Sequence, residues 1–485
     1  MGRTVNPVPL PFANGFYESD SLPLSAQECV NLYPVIPEEA ALNEQVLFGT
    51  PGLDQLATTG APSTNASRGA HTMGGKPYFV NGGTLYRLES DLSTATSLGS
   101  IAGTSRVSMA ENGTQLMILV PGSTGYIFTT GPDTLTTISD VDFTANGAPQ
   151  HVVFLDGYFI CSTDSKKFII SALNNGLAWD SSEFGTAEAD PDDIVVPAVL
   201  SNQLYMVGTQ TMEQFANTGN NDFPFQRTGL FVEKGCSAAF SMTKLNQSLY
   251  FVGSSEDESA AIWQYSGGGE PVKVSTEPVE SILQRLTTAE LAAIFAYSYG
   301  QKGDFFVCFA LPNTTLCYNI KNGKWHERKS NILLPGQPQK TLTRFRVNSL
   351  TSAYGKVLVG DSQGGIIGSM DIDVYTEYDD FILRRTAGQP FQNSMNPFRV
   401  PWLEMVMESG VGNTDTPDPK ISMSTSKDGK TYSLPRDRSF GELGKYNKRA
   451  IWTKLGSVPR FQVFAFEVSA KVKVAMLQLV ADMRP

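Results

Sequence analysis

The segment Gly360–Gly364, of sequence GDSQG, comes closest to a catalytic motif. It matches the Gly-x-Ser-x-Gly turn of hydrolases and nearly matches the Gly-Asp-Ser-Gly of trypsin-like proteases, in which a serine attacks a carbonyl. The hydrolase turn needs a helix after it and a later histidine. The three histidines all come earlier, at His71, His151 and His326. The protease order of His, Asp and Ser stays open, but Gln363 interrupts its motif and residues 365–368 have the pattern of a returning strand, so we predict a hairpin turn.

A second candidate is Ser424–Tyr432, which is similar to the Asp-box of sialidases and to hairpins of sugar-binding sandwiches. In both, an aspartate binds its own backbone and a glycine takes a positive φ, which are structural roles. A sialidase would also need an arginine cluster and a Tyr/Glu pair. The segment therefore predicts a β-turn at Asp428-Gly429 and says little about sugar.

No segment has the pattern of a metal or phosphate site. The acidic run Asp371–Asp380 lacks a central glycine and carries apolar residues where a calcium loop has ligands, so a solvated strand is favoured. The histidines are well separated and no Cys-x-x-Cys occurs, which argues against zinc or haem. Gly267–Gly269 forms no phosphate-binding pattern, and the basic cluster Lys445–Arg449 is expected to be a solvated strand edge rather than a DNA contact. We therefore predict no catalytic, cofactor-binding or metal-binding residues and no enzyme activity.

The composition describes a turn-rich β protein. Its 485 residues include 44 Gly and 28 Pro, with 10% aromatic and only 18% charged residues. The net charge is −11, which argues against sequence-specific DNA binding through a basic face. The excess of acidic over basic residues is uneven along the chain. Residues 1–370 carry 21 Lys and Arg against 34 Asp and Glu, whereas residues 371–485 carry 16 Lys and Arg against 14 Asp and Glu.

The cysteines and the apolar runs bear on the compartment. The five cysteines are odd in number and scattered, which favours folding in a reducing cytoplasm over a disulfide scaffold. Neither a signal peptide nor a membrane-spanning run is evident. We expect a protein made in a cytoplasm, without a membrane partner.

A hairpin pattern of two apolar runs around a polar turn recurs seven times. Its units start near Pro77, Gln115, His151, Gln203, Ser248, Phe305 and Lys356. Matched positions are irregularly spaced, from 37 residues between Leu116 and Val153 to 56 between Leu249 and Phe305. Propeller blades recur at roughly 40–50 residues with variable loops, and a closed ring protects the strand edges. The spacing predicts a β-propeller of six or seven blades, with a β-sandwich or two stacked barrels as the alternative.

The sixth unit, Lys273–Ser330, is the most detailed. Thr276-Glu277-Pro278 predicts a helix start, and Thr287–Glu290 a capping box that opens a second short helix. Strands are expected on both sides of Pro312-Asn313. If Leu311 pairs with Thr314, Cys308 lies directly opposite Cys317, as two packed and reduced thiols.

Three domains are predicted. Residues 1–60 are rich in Pro and Asn with little periodicity and are expected to form an extended arm that packs on something else; residues 61–370 form the propeller; residues 371–485 form an antiparallel β-sandwich. The expected sandwich strands are Trp402–Glu408, Lys420–Ser424, Phe461–Val468 and Val472–Val480, with a loop at Val411–Pro419.

Several collinear motifs resemble the packaged-DNA stabilisation, or tail hub (nozzle), proteins of short-tailed phages. The resemblance covers nearly the whole chain and is carried by Cys29–Pro34, Thr50–Leu53, Arg106–Ala110, Val232–Ser241, Val274–Glu280, Asn322–Arg328 and Tyr446–Gly456. It implies a β-propeller with an appended β domain and a structural virion component of the tail, not an enzyme.

The resemblance also implies partners. Such proteins form a ring, typically of six copies, beneath the portal and its adaptor; they close the channel so that packaged DNA is retained, and they offer docking sites for the tail needle and for tailspikes or fibres. The acidic balance fits a lumen through which DNA passes without sticking. The alternative is a carbohydrate-binding or carbohydrate-active tail protein, which predicts a concave cluster of aromatics and paired carboxylates on a blade face. In this reading Trp325 and His326 pack and cap a blade instead of forming a site.

Overall fold

Short strands at the start of the chain pair with distant parts of the molecule. The computed structural model describes residues 7–22, 24–39, 43–60, 65–188, 192–220, 223–255, 258–334 and 336–484. The strands before the first blade are β1 (Val8–Leu10), β2 (Tyr17–Glu18), β3 (Ala26–Val30), β4 (Leu32–Val35), β5 (Val46–Gly49) and β6 (Gly52–Thr58).

Five independent four-stranded antiparallel sheets follow within the described residues, and we number them as blades 1 to 5. Blade 1 contains β7 (Ser67–Met73), β8 (Lys76–Asn81), β9 (Thr84–Leu88) and β10 (Ala95–Ser100). Blade 2 contains β11 (Ser108–Glu111), β12 (Gln115–Leu119), β13 (Gly125–Thr129) and β14 (Thr134–Thr137). Blade 3 contains β15 (Pro149–Leu155), β16 (Tyr158–Thr163), β17 (Lys167–Ala172) and β18 (Asn175–Thr186). Blade 4 contains β19 (Ile194–Leu200), β20 (Gln203–Gly208), β21 (Met212–Asn217) and β22 (Phe225–Val232), and blade 5 contains β23 (Thr243–Leu245), β24 (Ser248–Ser255), β25 (Glu258–Tyr265) and β26 (Val272–Lys273).

Two further blades belong to larger sheets. Blade 6 contains β27 (Phe295–Gln301), β28 (Asp304–Ala310), β29 (Thr315–Asn319) and β30 (Lys324–Ile332), with β31 (Thr341–Arg344) paired to β30. Blade 7 contains β32 (Val347–Ala353), β33 (Lys356–Asp361) and β34 (Ile366–Asp371), and β6 supplies its fourth strand. The prediction of a β-propeller is confirmed, with seven blades.

The blades close into a ring because each packs a hydrophobic face on the next. Leu116 of blade 2 shares a buried cluster with Tyr78 of blade 1, and similar clusters join the later pairs. The ring is completed by a cluster in which Leu358 and Ile367 of blade 7 pack with Phe79 of blade 1. Each central strand is therefore buried on both faces, which explains why β12 and β13 are nearly continuous apolar runs.

Two α-helices connect blades 5 and 6 in the described chain. They are α1 (Glu277–Gln284), with Thr276 as N-cap, and α2 (Thr288–Ala292), whose capping box is formed by Thr287 and Glu290 as predicted. Short 3-10 helices lie at Val141–Thr144 and Ala239–Ser241. No helix in the described residues has the length and apolar character needed to cross a bilayer.

The C-terminal residues form two facing sheets. Their strands from this part of the chain are β37 (Arg384–Ala387), β38 (Phe391–Gln392), β40 (Trp402–Met407), β41 (Lys420–Ser426), β42 (Arg436–Ser439), β43 (Ala450–Thr453), β45 (Phe461–Val468) and β46 (Ala475–Ala481). β39 (Phe398–Arg399) and β44 (Ser457–Val458) form a separate two-stranded sheet, and β35 (Thr376–Glu377) and β36 (Asp380–Phe381) extend the blade 7 sheet beyond β6. One sheet has the order β4-β5-β46-β40-β43, and the other runs β3-β37-β45-β41-β42. The predicted sandwich is confirmed, and its four predicted strands match β40, β41, β45 and β46 within a few residues.

The N-terminal segment belongs to both domains. Strand β3 pairs with β37 of the sandwich and, through Val30 and Glu327, in parallel with β30, so that blade 6 and one sandwich sheet form a single twelve-stranded sheet. Strands β4 and β5 join the other sandwich sheet, while β6 belongs to blade 7. The bounds 1–60, 61–370 and 371–485 stay a prediction, but β6 from the expected arm pairs with β34 of blade 7, and β34 runs on to Asp371. Residues 1–6, 23 and 40–42 of the expected arm, 61–64, 189–191, 221–222, 256–257 and 335 of the expected propeller, and 485 lie outside the described residues.

Substitution of Gly52 tests whether the pairing of β6 with blade 7 stabilises the closed ring. A Cβ at this position would lie 2.4 Å from the backbone oxygens of Val374 and Thr376, beside the pairing of β6 with β34. Gly52→Ala is therefore expected to destabilise the protein by about 1–3 kcal/mol, because neither backbone can yield without disturbing the strand. Chemical denaturation measures the change, with Gly269→Ala as the matched control because a Cβ there meets nothing within 4 Å. Equal stability of the two variants would contradict this account of the closure.

Candidate functional site

The GDSQG segment is a turn between β33 and β34, as predicted. The side chain of Asp361, 1% exposed, accepts two hydrogen bonds of 2.9 Å from the guanidinium of Arg346. The backbone N–H of Ser362 donates to the carbonyl of Arg346 at 2.9 Å, and its hydroxyl accepts from Gln363 at 3.1 Å. The aspartate thus holds an arginine in place and is not available to orient a histidine.

The three histidines lie on strands of blades 1, 3 and 6 and do not converge on Ser362. His326 packs its ring 5.5 Å from that of Phe306, and His151 lies 4.7 Å from Phe240. Burial lowers the pKa of His151 to about 4, so its ring is neutral at pH 7. The packing role predicted for Trp325 and His326 agrees with their full or nearly full burial in blade 6.

The Ser424–Tyr432 segment folds back on itself at Asp428. The carboxylate of Asp428 accepts hydrogen bonds of 2.8 Å from the N–H groups of Lys430 and Thr431 and from the Ser426 hydroxyl. These bonds, with the backbone N–H of Thr431 and that of Lys430 foremost, hold the pKa of Asp428 well below its usual range. Gly429 has φ +77°, so the predicted structural turn is confirmed.

Cys308 and Cys317 are directly opposite each other in the β28–β29 ladder, as predicted, and His326 is opposite Cys317 on β30. The two sulfurs are 2.7 Å apart and fully buried. Burial is the main cause that raises the pKa of the Cys317 thiol well above its ordinary value.

These thiols are expected to be unreactive while the protein is folded. All five cysteines are buried and unbridged, so a thiol reagent should modify none of them under native conditions and all five after denaturation without reductant. The count is made with a chromogenic disulfide reagent. Three thiols in the denatured protein would contradict the reduced state and indicate a Cys308–Cys317 bridge.

The basic cluster Lys445–Arg449 lies in a loop between β42 and β43, not at the predicted strand edge. Tyr446 at its centre is 73% exposed. The Arg449 guanidinium, itself exposed, forms an ion pair with Glu404 of β40. Arg449, at one end of the cluster, is therefore paired with a sandwich strand at the surface of that domain.

The residues with the most unusual environment lie where the propeller meets the sandwich. We call Asn31, Arg328, Glu377 and Arg384 the junction residues. Asn31 follows β3, has φ +53° and is fully buried. Its side-chain amide donates to the carbonyls of Lys329 in blade 6 and Leu383 in the sandwich, both at 2.8 Å, and its side-chain oxygen accepts from the Lys329 N–H at 3.0 Å.

The backbone of Asn31 extends this arrangement. Its N–H donates to the Glu327 carbonyl at 2.8 Å, and its carbonyl accepts from the Thr50 N–H at 3.1 Å. Asparagine is one of the few residues that tolerate this left-handed conformation, and its amide matches the donors and acceptors of a strand edge. A single side chain therefore joins an N-terminal strand, a propeller blade and the sandwich.

Two arginines are fully buried beside Asn31. Arg328 donates to the Pro51 carbonyl at 2.6 Å, and its guanidinium stacks 3.6 Å from the centre of the Phe345 ring. Arg384 begins β37, and its burial lowers its pKa to about 10. Glu377, 3% exposed, is a buried carboxylate near both arginines. Burial raises the pKa of Glu377, and the positive charges of Arg328 and Arg384 oppose that rise.

Glu377 corrects the prediction for the acidic run. The run was expected to be a solvated strand, but it forms two short strands, and Glu377 points into the junction. The mixture of acidic and apolar residues in the run gave no sign that Glu377 is buried. The only sequence signal for the junction was the resemblance itself, since Asn31 and Arg328 fall within two of its motifs.

A charged groove of about 720 Å³ lies beside the junction, between the N-terminal strands and the sandwich. Arg385 forms ion pairs with Glu28 at 2.5 Å and Glu467 at 3.0 Å, and its guanidinium lies 5.3 Å from the centre of the Tyr432 ring. Burial raises the pKa of Glu28 in opposition to Arg385. The groove is also lined by Glu18, but Arg385 engages the other two carboxylates, which leaves no free pair of them.

Comparison with known proteins gives matches over both domains. The family model described as bacteriophage P22 Gp10, beta-propeller, matches residues 8–375, and the model described as bacteriophage P22 Gp10, beta-sandwich, matches residues 385–484. The chain is similar to the tail hub protein gp10 of Salmonella phage P22, with 23% identity over 455 residues that cover 91% of this chain and 92% of the relative.

Solved structures give weaker likenesses. The WD40 beta propeller domain of Doa1 has a TM-score of 0.41 and 15% identity, and the match covers 66% of this chain and 97% of that one. The computationally designed Ika8 protein has a TM-score of 0.36 and 11% identity, over 65% of this chain and 99% of that one. These scores support no inference, and the blade count rests on the strand pairing alone.

Proposed function

This chain belongs to the bacteriophage P22 Gp10 family, and we propose that it is the structural tail hub, or nozzle, of a short-tailed phage. The observation that carries the proposal is that both domain models match in order along the chain, as does the P22 tail hub protein over nearly its whole length. In this role the protein closes the channel below the portal and its adaptor and retains the packaged DNA. It is part of the virion tail and acts through binding, not catalysis.

The junction residues suit a hub that bears load between two domains. Packaged DNA exerts pressure on the protein that closes the channel. A flexible hinge between propeller and sandwich would let that closure yield. The twelve-stranded sheet connects the domains through backbone hydrogen bonds, and the Asn31 side chain adds bonds to backbone carbonyls of both, so no flexible linker separates them. This supports one rigid subunit that binds the adaptor with one domain and the needle, tailspikes or fibres with the other.

We further propose a ring of six copies with an acidic lumen. The charge excess of residues 1–370, with 34 Asp and Glu against 21 Lys and Arg, supports a surface on which DNA phosphates do not adhere. DNA then slides through by weak, non-specific contact. Neutralising that excess is expected to slow ejection more than assembly.

The native mass of the assembly tests this proposal. Mixed with its portal-adaptor complex, the protein should form a particle that contains six 52.6 kDa chains, measured by native mass spectrometry. The matched control is the protein mixed with portal that lacks the adaptor, which should leave it unassembled. A chain that stays monomeric with the complete portal-adaptor complex would contradict the hub.

The carbohydrate alternative requires a free pair of carboxylates in a cleft with aromatic rings. The charged groove is the described feature nearest to it, yet it lies beside the sandwich and not on a blade face, and Arg385 engages Glu28 and Glu467. This favours the hub. A glycan array is the direct test, and binding that is lost in Tyr432→Ala would restore the alternative.

A further inference from the structure

Two arginines share one uncharged acceptor inside the propeller. Asn348, at the start of β32, accepts with its side-chain oxygen from Arg106 and from Arg344, each at 3.1 Å. Arg106 also donates to the backbone carbonyl of Asn348 at 2.7 Å. Because both guanidinium groups reach the same oxygen atom, the two positive charges lie within a few ångströms of each other.

The surroundings fix both groups in place. The amide nitrogen of Asn348 donates to the Ser67 carbonyl at 2.5 Å, which orients its oxygen toward the arginines. The guanidinium of Arg106 stacks 3.5 Å from the centre of the Phe295 ring, and that of Arg344 lies 5.4 Å from the same centre. The pair is thus preorganised by blades 1, 6 and 7.

No carboxylate among the described residues forms an ion pair with either arginine. Asp361 is the acid that acts on Arg344, but Arg346 already binds both of its oxygens. One terminal nitrogen of Arg344 is buried without a hydrogen-bond partner in the described chain. Burial, and then the charge of Arg344, lower the pKa of Arg106 to about 9, so its positive charge is poorly stabilised where it lies.

A partly open cavity adjoins Arg106 and Asn348, while Arg344 contacts Asn348 but does not line the cavity. It has a volume of about 150 Å³ and lies where β7, β11, β27 and β32, the first strands of four blades, come together. A second cavity of about 380 Å³ shares Arg106 and Asn348 with it and is also lined by Arg68. Arg68 is saturated by backbone carbonyls, which leaves Arg106 as the arginine that can contact a ligand in these cavities.

We propose that this cavity binds a small oxyanion of the phosphate or sulfate type, held by the guanidinium of Arg106 and attracted also by the positive charge of Arg344 beside it. Two like charges that are partly buried and a few ångströms apart are costly unless a negative charge joins them. Guanidinium groups match oxyanions by paired N–H donors, and a buried charge-assisted hydrogen bond is stronger than a neutral one. The cavity accommodates a small ion but not a folded partner.

The site goes beyond the hub function and does not depend on it. An anion bound here lies between Arg106, just before blade 2, and β32 of blade 7, on either side of blade 1. Because a ligand that binds only the folded state raises stability by mass action, phosphate would hold these blades together.

Calorimetric titration of the full-length protein with sodium phosphate, and separately with sodium sulfate, tests the site. Sodium chloride at matched ionic strength is the salt control. We expect saturable binding with one anion per chain and at least about tenfold weaker binding in Arg344→Gln, because that change removes the second positive charge beside the anion but keeps a side-chain amide. Arg460→Gln, at an exposed arginine, should bind as the unmodified chain does.

Two outcomes would overturn the proposal: no saturable binding beyond the chloride control, or equal affinity in Arg344→Gln. Arg106→Gln is expected to abolish binding, and if that variant does not fold, Arg344→Gln and Arg344→Lys still decide the question. Crystals soaked in sodium selenate supply the position. An anomalous peak beside Arg106 and Arg344 supports the site, and a peak only at the protein surface rejects it.

Discussion

Replacing Asn31 with alanine is expected to lower the free energy of unfolding by about 3 kcal/mol or more, the largest effect of any single side chain at the junction. The substitution leaves three partly buried backbone groups without the partner that Asn31 supplies: the N–H and carbonyl of Lys329 and the carbonyl of Leu383. Each unpaired buried group costs about 1–3 kcal/mol. Alanine at φ +53° adds backbone strain that asparagine largely avoids.

The Asn31 variants separate these causes. Asn31→Gly relieves the backbone strain but loses all three side-chain bonds, so we expect its free energy of unfolding to lie between those of the wild type and Asn31→Ala. Asn31→Asp keeps the acceptor for the Lys329 N–H and loses both donated bonds. Urea denaturation followed by tryptophan fluorescence measures the midpoints, and limited proteolysis shows whether the sandwich separates from the propeller.

A stability of Asn31→Ala within about 0.5 kcal/mol of the wild type would contradict the role of this side chain. The same result would also weaken the claim that propeller and sandwich form one rigid subunit. Loss of stability with intact resistance to proteolysis between the domains would place the effect inside blade 6 alone.

Local patterns were sufficient for the blades. Each hairpin is encoded by residues close in sequence, so the alternation of apolar residues around a polar turn predicted seven units. The register of Cys308 against Cys317 followed from a turn of two residues. The helix start at Thr276 and the capping box at Thr287 are equally local, because a helix end depends on the few side chains beside it.

The junction could not be predicted because its contacts are distant in sequence. The side chain of Asn31 binds Lys329, 298 residues away, and Leu383, 352 residues away. The residues before Gly52 looked irregular because their strands pair with several different sheets, and a strand of four or five residues carries little alternation. Glu377 read as a solvated charge because its counter-charges lie on other strands.

Substitution of Asp361 separates a structural role from a catalytic one for the GDSQG turn. Asp361→Ala removes the carboxylate that binds Arg346 in a buried, two-bond ion pair. The guanidinium of Arg346 then remains among strands of blade 7 without its partner. Breaking such a pair from one side costs about 3–5 kcal/mol, because the remaining charge stays desolvated.

The neighbouring serine provides the matched control. Ser362→Ala is expected to leave the unfolding midpoint unchanged, since its N–H bond to Arg346 is made by the backbone and survives the change. Asp361→Asn, which keeps the shape and loses the charge, should fall between the two. Thermal and urea denaturation of the three variants test the order. If Ser362→Ala were instead the damaging change, or if a serine-directed reagent labelled the native protein at Ser362, a nucleophilic role would replace the structural one.

If Asp361→Ala matched the wild type, the ion pair would contribute nothing to the stability of blade 7. The closure of the ring would then rest on β6 and the apolar cluster around Ile367.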